Sequence, residues 1–233
     1  MGIKNIEGLA TNESLKAIMA GLDVSEKDCI LSICGSGDQA FAMLEKAKRV
    51  TVVDRNKDQI EYFKRRAGKL YHGFFELFLD TGKIPTDWID EECLSSRDEY
   101  FSKQKLENIR KNLMNQKAKR EIVGNIFLLN PKKGRFNKVY LSNSLDYVNF
   151  DPNLYSVRER LQKISDNLTN EGLIYVTKWD IFEEQSRIKN YPLLYNAGLR
   201  INVELTRKAR TLQGKEGYYS AIWSPAVLQK TRE

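Results

Sequence analysis

Asp28-Cys29-Ile30-Leu31-Ser32-Ile33-Cys34-Gly35-Ser36-Gly37-Asp38-Gln39 is the stretch whose reading decides the fold. Ile30 to Cys34 is a continuous apolar run of strand length, and Gly35-Ser36-Gly37 is a tight turn. In Gln39 to Ala47, the residues Ala40, Phe41, Leu44 and Ala47 recur at helical spacing. Downstream, Val50 to Val53 reads as a second, β-branched strand closed by Asp54. Asp58 to Leu70 reads as an amphipathic helix with Ile60, Phe63, Ala67 and Leu70 inward. Continuous apolar strands alternating with helices predict a parallel sheet covered on both faces.

The alternation resumes later. Lys138 to Leu141 predicts a strand, Leu154 to Leu168 a helix, and Leu173 to Trp179 a strand after the Asn170-Glu171-Gly172 turn. Ile201 to Leu205 and Tyr218 to Trp223, flanking the polar loop Gln213 to Gly217, predict a terminal antiparallel hairpin. Residues 71–121 exceed what a minimal alternating domain needs. They read as an inserted helical cap, with Leu106, Ile109 and Leu113 on one helical stripe, inside one domain spanning 1–233.

The 233 residues, 41% of them hydrophobic, supply enough apolar side chain for a core and argue against disorder. No apolar run approaches the roughly 18 to 20 residues of a spanning helix. The N-terminus lacks an apolar signal region, so the expected compartment is the cytoplasm. Cys29, Cys34 and Cys93 have no CxxC spacing, and His72 is the single histidine. Buried free thiols are expected, with no metal centre.

The net charge of +7 is uneven: residues 1–92 carry −3, residues 93–138 carry +8 and residues 139–233 carry +2. Lys111, Lys117, Lys119, Arg120, Lys132, Lys133, Arg135 and Lys138 form the densest part. Such a run is either a solvated face or a surface for an anionic partner.

A glycine turn between strand and helix lets a ligand approach the backbone and the free N–H groups of a helix start. Asp54, 17 residues after Gly37, stands where an acid accepts bonds from the two ribose hydroxyls of an adenosine ligand. A helix cap is the structural alternative, but the glycine turn and Asp54 together favour a nucleoside site. Ala40 interrupts a full GxGxxG and no Walker sequence is present, so a nucleoside is favoured over a dinucleotide or a triphosphate.

These elements resemble the S-adenosylmethionine-dependent methyltransferase superfamily, with its doubly wound, mostly parallel Rossmann-like sheet. Within it, three stretches resemble the diacylglycerol 3-amino-3-carboxypropyltransferases of betaine-lipid synthesis. They are Leu31-Ser32-Ile33-Cys34-Gly35-Ser36-Gly37-Asp38, Val53-Asp54-Arg55-Asn56-Lys57-Asp58-Gln59 and Tyr140-Leu141-Ser142-Asn143. The second fits a Val-Asp-x-Asn-x-x-Gln signature, lacking only its common proline, and the third a Leu-Ser-Asn motif.

The resemblance implies S-adenosylmethionine as co-substrate, with no metal. Gly35, Ser36, Gly37 and Asp38 would line its methionine part and Asp54 its ribose. Asn56 and Gln59 would support the adjoining loop or touch the donor's amino-acid end, Arg55 would join them in binding the donor, and Asn125 with Ile126 would lie at the adenine edge. Ser142, Asn143, Ser144, Asp146 and Tyr147 would face the sulfonium. The implied reaction is aminocarboxypropyl transfer with release of methylthioadenosine. Methyl transfer shares every donor motif, and a non-catalytic binder of the same nucleoside is the reading from another class. Asp146, Tyr147, Asn143, His72 and Glu76 are the candidate catalytic side chains. For the acceptor, the basic segment suggests a lipid at an anionic membrane surface, with Phe74, Phe75, Phe78 and Trp88 as an apolar channel. RNA and a small metabolite under the cap are the alternatives.

Overall fold

The computed structural model describes residues 10–11, 13–80, 91–115, 119–129, 135–145, 157–177, 194, 196–215 and 224–231. Helix α1 (Leu15–Gly21) precedes β1 (Cys29–Ile33), and α2 (Asp38–Leu44) leads to β2 (Arg49–Asp54). Next come α3 (Lys57–Tyr71), α4 (Phe75–Leu79), α5 (Glu91–Tyr100), α6 (Lys103–Met114), β3 (Lys119–Val123) and β4 (Phe136–Ser142). The chain continues with α7 (Val157–Asn167), β5 (Leu168–Val176), β6 (Leu199–Ile201), α8 (Val203–Lys215) and β7 (Ala226–Lys230). The seven strands form one sheet in the order β3-β2-β1-β4-β5-β7-β6. β7 alone runs antiparallel to both its neighbours, and the other four pairings are parallel.

Because strand side chains alternate, β1, β2, β4, β5 and β7 each feed two cores. Ile30, Val50, Val52, Tyr140, Tyr175 and Val227 lie in one core with α1, α2, α3, α6 and α8. Leu31, Val53, Val139, Leu141, Ile174, Val176 and Leu228 lie in the other, with Leu161 and Ile164 of α7. The apolar runs are explained: a strand buried on both faces has no polar face to show.

Two elements differ from expectation. The antiparallel terminal pair is present, but its strands are β6 and β7, and α8 lies between them. Asn202 is the cause, because its Oδ1 accepts from Leu205 N at 3.0 Å and caps the helix where Ile201, Val203 and Leu205 mimic strand alternation. Tyr218 to Trp223 lie outside the described residues. β5 begins at Leu168, ahead of the expected turn. Glu171 takes φ +62 and absorbs a register shift between the Phe136↔Leu168 and Lys138↔Leu173 pairs, so the turn residues become a bulge within the strand.

The segment between α3 and β3 is built into the first core. Phe78 meets Phe41 edge-on at 5.0 Å and Phe101 at 5.4 Å, while Phe41 stacks on Phe63 at 4.6 Å. Leu106, Ile109 and Leu113, the predicted stripe, are buried on α6.

Candidate functional site

The parallel strands end at one edge of the sheet, and β1 lies between β2 and β4, where the winding reverses. Ligands of open α/β sheets occupy the crevice at that point. Gly35, at φ +48, has open space where a Cβ would stand. Gly37, at φ +87, caps α2, and a Cβ there would come 2.6 Å from Phe63 Cδ2. Only glycine satisfies both the backbone and the packing at Gly37.

The acidic end of β2 is tied to this turn. Asp54 Oδ2 accepts from Gly35 N at 3.2 Å, and Oδ1 accepts from Asn56 N at 2.9 Å. Asn56 caps α3 through Asp58 N at 2.9 Å, and Gln59 Nε2 donates to Gly35 O. Gly124 N donates to Asp54 O at 2.7 Å, which brings the end of β3 alongside. There Asn125 accepts from Phe127 N at 3.0 Å, while Ile126 is buried in the second core. Arg55 is exposed.

Ser36 and Asp38, expected along the donor, turn their side chains into the protein. Asp38 is fully buried between Arg66, 2.6 Å away, and Arg97 of α5, 3.1 Å away. Asp38 Oδ2 also accepts from Thr11 N at 2.9 Å and from Ser36 Oγ at 3.1 Å, and Arg66 Nη1 donates to Ser36 O at 2.9 Å. Burial opposes ionisation of Asp38, but the two guanidinium groups outweigh it and hold the carboxyl below its usual range. The ion cluster thus fixes the back of the glycine turn.

After β4, Ser142 takes φ +51 and its Oγ lies 3.4 Å from Asn143 Oδ1. Ser142 Oγ and Tyr140 OH both donate to Glu13 Oε1, the latter at 2.7 Å. Glu13 is buried, and burial pushes its pKa up to about 7 against those two hydrogen bonds. Ser144 Oγ is buried without a partner among the described residues. Asp146 and Tyr147 lie outside the described residues.

His72 is not brought to this edge. It follows the last turn of α3, whose 15 residues carry it about 22 Å from the Asp54 end at 1.5 Å per residue. Glu76 is exposed on α4, beyond His72. The expected aromatic channel does not form as drawn: Phe78 is locked in the core and Phe75 packs against it, while Trp88 is outside the described residues. Tyr71, Phe74 and Leu77 are exposed instead, at the His72 end.

Part of the basic excess is structural. Arg97 pairs with Asp38, Lys119 with Glu121 and Lys138 with Asp28, at 3.1, 2.7 and 2.7 Å. Lys105 and Arg110 lie 4.0 and 3.7 Å from Glu45 and Glu107. Lys117, Lys132 and Lys133 are outside the described residues. Among the described residues no group of acidic, His or Cys side chains is placed to hold a metal, and no helix is long and apolar enough to cross a membrane. Cys34 is buried, which pushes its thiol well above the ordinary value.

Sequence reasoning missed Glu13, Arg66 and Arg97. Glu13 directly precedes Ser14, the cap of α1, and nothing local marks it as buried. No local pattern singles out the two arginines.

A sheet in this order, with helices on both faces and one antiparallel strand, is the Rossmann-like methyltransferase fold. No family model and no curated protein matches the sequence. Solved structures do. The [4+2]-cyclase SpnF superposes with a TM-score of 0.54 at 11% identity, covering 94% of this chain and 80% of that one. Geranyl diphosphate C-methyltransferase of Streptomyces coelicolor, solved with Mg2+, geranyl diphosphate and S-adenosyl-L-homocysteine, gives 0.51 at 15% identity, covering 94% and 78%. The Bacillus subtilis protein YcgJ gives 0.51 at 10% identity, covering 94% and 99%. At these identities the likeness is one of fold, and a cyclase among them illustrates that this fold does not fix the reaction.

Proposed function

We propose that this chain binds S-adenosylmethionine and transfers its 3-amino-3-carboxypropyl group to an acceptor nucleophile. The observation that carries the reading is the single hydrogen-bonded unit of Gly35, Asp54, Asn56 and Gln59. Each side chain of the Asp54-x-Asn56-x-x-Gln59 signature binds the glycine turn or the cap of the helix that follows it. The signature therefore acts as one device at the β1–β2 edge, which supports the resemblance on which the reaction rests. The open backbone at Gly35 suits a ligand laid against it.

In this reaction the acceptor forms a bond to Cγ of the donor's amino-acid chain. The S–Cγ bond breaks, its electron pair returns to sulfur, and methylthioadenosine leaves. A base takes the acceptor's proton; Asp146 and Tyr147, next in the chain after buried Leu145, are the side chains we propose for it. The second reading is methyl transfer, favoured by the neighbour that holds S-adenosyl-L-homocysteine. It breaks the S–CH3 bond and leaves S-adenosylhomocysteine.

The acceptor we propose is a lipid at an anionic surface, supported by the exposed cations Lys103, Lys111 and Arg120 of the basic segment. Sedimentation with anionic vesicles against RNA, at two salt concentrations, separates that surface from a nucleic acid.

Mass spectrometry of the nucleoside product tests the chemistry. Methylthioadenosine is expected, S-adenosylhomocysteine would replace this reading with methyl transfer, and binding without either product would leave a nucleoside-binding protein.

A further inference from the structure

Thr11 lies at the glycine turn and Glu13 at the end of β4. At the turn Thr11 N is bonded to Asp38, and Gln39 Nε2 donates to Thr11 Oγ1 at 2.8 Å. At the strand end Glu13 Oε1 takes the hydroxyls of Tyr140 and Ser142. Glu13 is only 2% exposed, yet its Oε2 has no partner among the described residues. Tyr175, opposite Tyr140 in the β4–β5 register with ring centroids 5.8 Å apart, also has a buried hydroxyl with no partner among the described residues. A buried carboxyl oxygen left unmet is costly, and it calls for an explanation such as a functional role, a water or an ion.

The other acids around the turn are already engaged. Asp38 lies between two arginines, and Asp54 accepts from Gly35 N and Asn56 N. β1 ends without an acid, and Ser32 Oγ is spent on Ile33 O at 2.8 Å. A donor whose nucleoside lies over the β1–β2 edge would extend its amino-acid portion toward β4. That portion carries a cationic ammonium group. Glu13 is the anion that stands where β1 and β4 part.

We propose that Glu13 Oε2 receives the α-ammonium group of the donor's amino-acid portion, with Tyr140 and Ser142 fixing the carboxylate through Oε1. This rests on the donor reading above. In aminocarboxypropyl transfer the ammonium belongs to the migrating group, so the contact would orient Cγ toward the acceptor. In methyl transfer it would hold the part that stays behind.

Two probes share the nucleoside and differ in the amino acid: S-adenosylhomocysteine has it and methylthioadenosine lacks it. Calorimetry on Glu13→Gln is expected to weaken S-adenosylhomocysteine by about tenfold or more, or about 1.4 kcal/mol, and to leave methylthioadenosine within about twofold. Equal loss of both ligands, or no loss of either, overturns the proposal. Should Glu13→Gln fail to fold by thermal melting, the wild-type protein supplies the same test. Its carboxyl, at about 7 when free, must ionise to meet an ammonium. Binding of S-adenosylhomocysteine near pH 6.5 then releases a proton, whereas methylthioadenosine releases none.

The groups facing Glu13 do not confuse that reading. The phenols of Tyr140 and Tyr175 are pushed well above their usual range, Ser142 does not titrate, and Asp38 beyond Thr11 is held ionised. Equal proton release with both probes overturns the proposal. If wild-type protein binds neither probe, it is the donor reading that has failed.

Discussion

Replacing Asp38 by Asn tests whether the ion cluster behind the glycine turn holds the fold together. The substitution keeps the shape and removes the charge. It leaves Arg66 and Arg97, each 1% exposed, 2.6 and 3.1 Å from a neutral amide. Each pair is worth about 5–6 kcal/mol gross at an effective dielectric near 20, and most of that is offset by the desolvation already incurred. What remains is the penalty of uncompensated buried charge, about 3–5 kcal/mol. For a chain of 233 residues, that lowers the melting midpoint by about 6–20 °C at roughly 2–4 °C per kcal/mol.

Thermal and urea unfolding at pH 7 read this directly. The pH dependence carries a second signature. Folding lowers the Asp38 pKa, so its contribution is complete above the unfolded value of about 3.9 and fades as pH falls through the folded value. Wild type and Asp38→Asn should therefore differ by a constant amount above about pH 5 and converge in stronger acid. A midpoint shift below about 2 °C, or a gap that widens on acidification, would refute the reasoning.

Gly37→Ala forces a side chain onto φ +87 and into Phe63; a loss of at least about 1–2 kcal/mol is expected in urea titration, with weaker nucleoside binding. Tyr175→Phe removes a buried hydroxyl that has no partner among the described residues, so stability should stay within about 1 kcal/mol or rise, and a larger loss in the same titration would reveal a bond to that hydroxyl. His72→Ala, about 22 Å along α3 from the turn, should leave product formation unchanged within about twofold, and a large drop in kcat would return His72 to the site.

Much of this architecture is legible because it rests on local signals. β1, β2 and α3 announce themselves through continuous apolar runs and one clean stripe, and the φ-positive glycines announce the turn. β6 and α8 are misread because Ile201, Val203 and Leu205 alternate like a strand, and one capping amide at Asn202 decides otherwise. α5 carries no apolar stripe, so its existence is not written in its periodicity. The site divides in the same way. Gly35, Asp54, Asn56 and Gln59 lie in two short motifs and are found together. Arg66, Arg97 and Glu13 act across the fold on Asp38 and on β4, and a pairing between distant residues leaves no spacing to read.

The buried ions also bear on what the segment between α3 and β3 can do. A lid over a crevice must detach at small cost. α5 is held by Arg97, whose guanidinium meets Asp38 and whose Nη1 donates to Leu79 O at 3.2 Å, and by Phe101 against Phe78. Breaking the ion pair alone costs about 3–5 kcal/mol, which confines a detached state to roughly one molecule in 10^2 to 10^4. α5 is therefore part of the wall behind the glycine turn. Its charge stabilises Asp38, and it is Asp38 that orders Ser36, Thr11 and the approach to Glu13. A basic residue in a basic segment thus serves the donor half of the site, and only the exposed cations of that segment remain for an acceptor surface.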